Sequence, residues 1–133
     1  MKLSSVLLWK IGVTIVLWAT PLLLSPPPLF AALGMPTPEP PIVARLLGAA
    51  YVALLVVYLN GWMDVRAGRY PRLAVLAGIV SNGLGCALMV VHGASGSWSG
   101  WGALGQIYMW ISAVAAGAIA VGLLFGRMPK SPS

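Results

Sequence analysis

Four long apolar stretches, separated by proline-, arginine- and glycine-rich segments, dominate the pattern of hydrophobic and polar positions. They cover residues 5–24, 46–63, 73–92 and 103–125. A helix needs about 20 residues, at about 1.5 Å each, to cross a hydrocarbon layer roughly 30 Å thick. Because backbone polar groups must be paired internally in lipid, the pattern predicts an all-α membrane protein. We expect four transmembrane helices in an antiparallel up-down bundle that forms one membrane domain.

The segment between the first two stretches, residues 25–41, holds seven prolines. Proline lacks the backbone donor that a helix interior uses, so this outer loop must lie outside the hydrocarbon. Its apolar middle, residues 29–33, is followed by Gly34, which predicts a short interfacial helix and then an extended Pro-x-Pro segment. The tail over residues 127–133 is predicted to be disordered.

Lys10 interrupts the first apolar stretch, and two interpretations are open. In the first, the long side chain of Lys10 extends from a retained helix to the cytoplasmic headgroups. In the second, the first 24 residues are a cleavable signal peptide with Lys2 as its charged end. The first is favoured, because the apolar run is long for a signal peptide and no clear small-x-small cleavage site follows it.

Composition supports a membrane location, since 59% of the residues are hydrophobic and only 8% are charged. A soluble domain carries about 25% charged residues. The net charge of +6 does not indicate nucleic acid, because the basic residues lie at the ends of the apolar stretches. Abundant alanine, glycine, proline and valine suggest a GC-rich bacterial genome, and hence the bacterial cytoplasmic (inner) membrane.

The basic residues also predict an orientation. With the N-terminus in the cytoplasm, seven of the eight lysines and arginines lie on the inner side and only Arg45 lies outside, as the positive-inside rule requires. Both termini are therefore expected in the cytoplasm. The residues expected to set topology and to contact phospholipid headgroups are Lys10, Arg45, Arg66, Arg69, Arg72 and Arg127.

Small residues recur at four-residue spacing in the third and fourth stretches, where they would let helix backbones approach closely. Helix packing is favoured for this set, with ligand contact as the alternative: Gly78, Ser81, Asn82, Gly85, Cys86, Ser112, Ala118, Gly122 and Gly126. Asn82 is the sharpest polar residue because it is predicted near the bilayer midplane, where an unpaired amide costs several kcal/mol. Ser112 is its expected partner.

Few residues in the chain carry catalytic or metal-binding chemistry. His92 is the only histidine, so this chain alone cannot supply a bis-histidine haem or a histidine-rich metal site. It is a candidate cofactor ligand only if the cofactor is shared with another subunit, and an interfacial polar role is favoured. The only acids, Glu39 and Asp64, are predicted outside the membrane. We therefore expect no catalytic residues, no metal site and no enzyme.

The outer loop carries one family resemblance. Residues 33–48 read Leu-Gly-Met-Pro, then Thr-Pro-Glu, then Pro-Pro-Ile-Val-Ala-Arg-Leu-Leu-Gly. This proline-rich loop followed by Arg-Leu-Leu-Gly is similar to a pattern in small, uncharacterised four-helix bacterial membrane proteins. The resemblance implies the four-helix topology and no activity.

Three functions follow as hypotheses. The leading one is a non-catalytic accessory subunit of a larger bacterial membrane complex of respiratory, photosynthetic or oxygenase type, with other membrane subunits and phospholipids as partners. The second is a homo-oligomeric channel or carrier for a small neutral solute, with a polar line of Ser81, Asn82, Gln106 and Ser112. The third is a protein that binds lipid or quinone between the third and fourth helices. No cofactor is predicted from this chain alone, although lipid and a shared haem, pigment or quinone remain open.

Overall fold

The computed structural model describes residues 2–128. Helix makes up 80% of the structure, and residues 2–128 contain no strand. The elements are α1 Leu3–Val13, a π-helical turn Thr14–Ala19, α2 Thr20–Leu24, α3 Pro27–Leu33, α4 Pro41–Arg66, α5 Arg72–Ala94 and α6 Ala103–Phe125. The prediction of an all-helical protein is confirmed.

Four helical spans are long and apolar enough to cross a membrane, as predicted. The first, Leu3–Leu24, consists of α1, the π-helical turn and α2, and the others are α4, α5 and α6. The predicted bounds of the second span were too short, because α4 starts at Pro41, where the fixed proline φ suits a first helical turn. Large apolar side chains also cover the outside of the molecule; Leu73, for example, is 78% exposed. Such an exterior matches a hydrocarbon solvent.

The π-helical turn interrupts the first span where proline would disturb an α-helix. Pro21 has no N–H to donate to a carbonyl of the preceding turn, and the chain widens over Thr14–Ala19 instead. The hydroxyl of Tyr108 on α6 donates a hydrogen bond to the carbonyl oxygen of Leu17. The tyrosine hydroxyl thus pairs one carbonyl of the widened turn.

The short helix predicted in the proline-rich loop is confirmed as α3. It ends at Gly34, whose φ of +66° lies in the left-handed region that favours glycine. The carbonyl of Gly34 accepts a hydrogen bond of 2.8 Å from the N–H of Gly102, the residue before α6. A Cβ on Gly34 would lie only 2.7 Å from the Cα of Gly102. This close approach holds α3 against the beginning of α6.

The spans pack in a closed order, with the first span against α4, α4 against α5, and α5 along α6. α1 also contacts α6, and there the N–H of Leu3 donates a 2.9 Å hydrogen bond to the carbonyl of Arg127. The prediction of disorder from residue 127 onward was therefore wrong at Arg127, because this backbone bond holds it. Met128, the next residue of the predicted tail, packs partly buried against the hydrophobic core. Residues 129–133 lie outside the described residues.

Candidate functional site

A cavity of about 520 Å³ lies between the first span, α3, α5 and α6, with Tyr51 of α4 in its wall. Its surface is mostly apolar, and α3 with Met35 forms one end. Besides aromatic residues, the polar side chains that line it are Lys10, Ser81, Asn82 and Ser112. Ser112 lies ten residues after Gly102, about 15 Å along the helix axis. The cavity therefore has an apolar end beside α3 and a polar end deep among the helices.

Among the described residues, Lys10 is the only cation in this lining, and it is 1% exposed. The Nζ donates a 2.9 Å hydrogen bond to Oδ1 of Asn82. It also lies 4.6 Å from the ring centroid of Tyr58 and 5.3 Å from that of Trp18, within the range of cation–π contact. The prediction that Lys10 reaches the headgroups was wrong, because these three inward partners hold its amine inside the molecule.

Asn82 is buried, as expected for a midplane amide, but its expected partner was wrong. Its Oδ1 accepts from Lys10, and its Nδ2 donates a 2.6 Å hydrogen bond to the carbonyl of Gly78, one turn earlier in α5. Ser112 makes no bond to it. A charged ammonium is a stronger donor than a serine hydroxyl, so the amide oxygen turns toward Lys10.

Aromatic residues support the polar end of the cavity. The hydroxyl of Tyr58 shares a 3.0 Å hydrogen bond with Oγ of Ser81, next to Asn82 in sequence. Trp18 stacks on Tyr51 with ring centroids 5.8 Å apart. The ring faces of Tyr58 and Trp18 thus lie against the amine of Lys10, and they hold the amine near the cavity without compensating its charge.

Two buried hydroxyl groups have no hydrogen-bond partner within residues 2–128: Oγ1 of Thr14 and Oγ of Ser112. Thr14 begins the π-helical turn. Ser112 lines the cavity and is 1% exposed. A buried polar group without a partner costs about 1–3 kcal/mol, so Ser112 provides an unused donor and acceptor at the polar end.

The cavity contains no carboxylate to balance Lys10. Glu39 and Asp64 are the only acids in the chain. Glu39 is exposed in the loop before α4, and Asp64 pairs with Arg69 at 2.6 Å at the far end of α4. Neither lines the cavity. Among the described residues, the amine of Lys10 thus faces only neutral oxygen and aromatic partners.

The other predicted packing or ligand-contact residues divide between the cavity, the helix interfaces and the outer surface. Gly85 lines the cavity, and a Cβ there would meet open space. Gly78 and Gly122 are buried, Gly126 abuts Leu3, and Cys86 is half-buried beside Gly117. Ala118 is exposed on the outer face of α6.

The remaining predicted residues lie away from the cavity. His92 is exposed, with Nδ1 3.1 Å from Oγ of Ser97. Gln106 donates to the carbonyls of Ser99 and Trp101, so it does not extend the polar line of Ser81, Asn82 and Ser112. The basic residues predicted to set topology, other than Lys10, are exposed: Arg45, Arg66, Arg69, Arg72 and Arg127.

Sequence reasoning missed Trp18, Tyr51, Tyr58 and Tyr108 as parts of this site. A usable signal was present, since three tyrosines lie well inside apolar spans, where their hydroxyls need partners. No family model, curated protein or solved structure matches the chain. The functional assignment therefore rests on the cavity and its polar end.

Proposed function

We propose that the protein is a multi-pass membrane protein that binds one lipid-like molecule in this cavity. The observation that carries the proposal is a 520 Å³ apolar cavity on which a few polar side chains converge. Ligand sites in proteins typically have about 300–1,000 Å³, apolar walls and a few polar groups that orient the ligand. The proposal develops the lipid- or quinone-binding hypothesis and extends its site from the third and fourth helices to the first span and α3.

The same proposal includes an antiparallel up-down bundle with both termini in the cytoplasm of a bacterial cell. The hydrogen bond between Leu3 and Arg127 supports it, because it joins the beginning of the first span to the end of the last. With Lys10 inside the bundle, the remaining basic residues still divide six to one in favour of the cytoplasm, with only Arg45 outside. Reporter fusions at residue 68 and at residue 96 should accordingly report opposite sides of the membrane.

The ligand would enter from the bilayer. Val16 of the first span is 67% exposed and Leu88 of α5 is 60% exposed, yet both line the cavity. A side chain that contacts both the cavity and the exterior marks an opening between them. Since this exterior is apolar, the opening favours a molecule already dissolved in the membrane over a water-soluble one.

A cavity-filling variant tests the proposal. In Gly85→Leu, the new side chain enters open space in the cavity. If it displaces three or four methylene groups of the ligand, binding weakens by about 3 kcal/mol, or roughly 100-fold. Gly83→Leu is the matched control, because a side chain on Gly83 also meets open space but Gly83 does not line the cavity.

The measurement is mass spectrometry of molecules extracted from each protein after purification in a mild neutral detergent. We expect wild type and Gly83→Leu to retain a defined apolar molecule near one equivalent, and Gly85→Leu to lose most of it. Equal retention by all three proteins, or none in wild type even when candidate lipids are added back, would reject the cavity as a ligand site.

The accessory-subunit hypothesis remains a second candidate, because one further surface favours it. A shallow depression of about 350 Å³ on α6 is lined by Gly117, Ala118, Val121, Gly122 and Phe125. Small residues of this kind let a neighbouring helix approach closely in lipid. Native gel separation of mildly solubilised membranes, with mass spectrometry of the band, distinguishes co-migration with unrelated large subunits from migration alone.

A further inference from the structure

The uncompensated charge of Lys10 indicates what kind of polar end the ligand carries. We propose that the cavity binds a single-chain molecule ending in a carboxylate, and that this carboxylate pairs with the Lys10 ammonium. The inference rests on the proposed function, since it names the ligand class of the same cavity. It is independent of the accessory-subunit candidate.

Charge balance is the first argument. An isolated ammonium inside hydrocarbon is costly, and lysines at such depth are almost always paired. Within residues 2–128, the cavity offers the Lys10 amine no acid, only Oδ1 of Asn82 and two aromatic faces. A carboxylate brings one negative charge and neutralises Lys10. A phosphomonoester brings about −1.5 to −2, and a quinone or alcohol leaves the cation uncompensated.

Hydrogen-bond capacity is the second argument. An ammonium has three donors, and one of them is used by Asn82. The hydroxyl of Ser112 lines the same cavity without a partner among the described residues. A carboxylate is an acceptor with about four lone-pair sites, so it can accept from Lys10 and Ser112 together. The site thus supplies donors and lacks the acidic acceptor that would satisfy them.

Size and shape are the third argument. A cavity of about 520 Å³ lies within the range of about 300–1,000 Å³ that is typical of sites for one small ligand. This volume suits one long hydrocarbon chain with its polar end. The mostly apolar walls that lead from α3 down to Lys10 suit the chain, with the carboxylate at the deep polar end.

The test uses the full-length protein, freed of bound lipid, in neutral detergent micelles. Hexadecanoate, methyl hexadecanoate and hexadecan-1-ol are titrated in turn by calorimetry, with empty micelles as the blank. We expect hexadecanoate to bind at least tenfold more tightly than either neutral probe, because one charge-assisted hydrogen bond raises affinity by about that factor or more. Lys10→Met should remove this preference and keep binding of hexadecan-1-ol. Lys2→Met, the same substitution at an exposed residue outside the cavity, should retain it.

The possible results separate this inference from the proposed function. Equal affinity for the three probes in wild type, or a preference for hexadecanoate that survives in Lys10→Met, overturns the proposal of a carboxylate ligand. In either case, binding that Gly85→Leu weakens would still support the cavity as a ligand site. Tighter binding of 1-hexadecanoyl lysophosphatidate than of hexadecanoate also overturns it, in favour of a phosphate head. If wild type binds none of the probes, both proposals fail. The comparison of acid and ester in wild type needs no variant and is unaffected by any folding defect.

Discussion

The contact between Lys10 and Asn82 makes the sharpest prediction about stability. It joins residues 72 positions apart, and both side chains are almost fully buried. Asn82→Leu replaces the amide by an apolar group of similar size, and it removes the only side-chain oxygen that bonds the ammonium within the described part of the chain. The carbonyl of Gly78, which accepts from the Asn82 amide, lies within α5 and loses little, because a helical carbonyl has its own backbone donor.

The magnitude follows from the charge of the donor. Hydrogen bonds to charged groups contribute about 1.5–3 kcal/mol, whereas neutral polar contacts between membrane helices contribute about 0.6–2 kcal/mol. We therefore expect Asn82→Leu to lower the free energy of unfolding by about 1.5–3 kcal/mol. Adding Lys10→Met should recover most of this loss, because replacing both partners of a buried polar pair by apolar groups is often nearly neutral.

The assay is a double-mutant cycle of wild type, Asn82→Leu, Lys10→Met and the double variant. Each protein is unfolded reversibly by a denaturing detergent in mixed micelles, with helix content measured by circular dichroism. The expected coupling is at least about 1 kcal/mol, with the double variant within about 1 kcal/mol of wild type. Additive losses would refute the reasoning, since they would mean that Lys10 does not depend on Asn82 for its partner.

Two further predictions concern sites away from the cavity. Gly48→Ala should destabilise the protein by about 1–3 kcal/mol in the same unfolding assay. The new Cβ would lie 2.6 Å from the Cα of Leu23, so the backbone would have to move. Gly12→Ala is the control and should not destabilise the protein, because a Cβ on Gly12 meets nothing within 4 Å. Asp64→Asn should lower the free energy of unfolding by no more than about 1 kcal/mol, and this difference should vanish at high salt, since the carboxylate and Arg69 are exposed. A larger decrease that does not depend on salt would contradict the assignment of a surface ion pair.

The spans and the loop helix could be predicted because each depends on local sequence. Stretches of about 20 apolar residues require helices in lipid, and prolines before an apolar run that ends at Gly34 predict α3. The ends of the spans were less predictable. Pro41 was assigned to the loop because proline breaks helix interiors, yet it fits the first turn of α4.

The candidate site could not be predicted, because it depends on which faces of the helices meet. In a helix of a soluble protein, the polar face is the one that contacts solvent, so the sequence pattern indicates which face is outside. Here the lipid-facing and inward-facing surfaces are both apolar, so the pattern does not distinguish them. Lys10 was therefore assigned to the headgroups because its side chain is long. In the structure its amine instead contacts Asn82 and the ring of Tyr58 in the interior. These residues come together only because the first span packs against α4 and α6 while α5 packs against the same two helices.

The choice between a structural subunit and a ligand-binding protein turns on Lys10. If the helices only filled space between larger subunits, a buried lysine without a carboxylate would add a desolvation cost and no specific benefit, and a methionine would serve better. The hydroxyl of Ser112, unpartnered beside the same cavity among the described residues, adds a second cost of the same kind. Both costs are recovered together when a ligand supplies a negatively charged acceptor. A binding site therefore accounts for two unfavourable features that a purely structural role leaves unexplained.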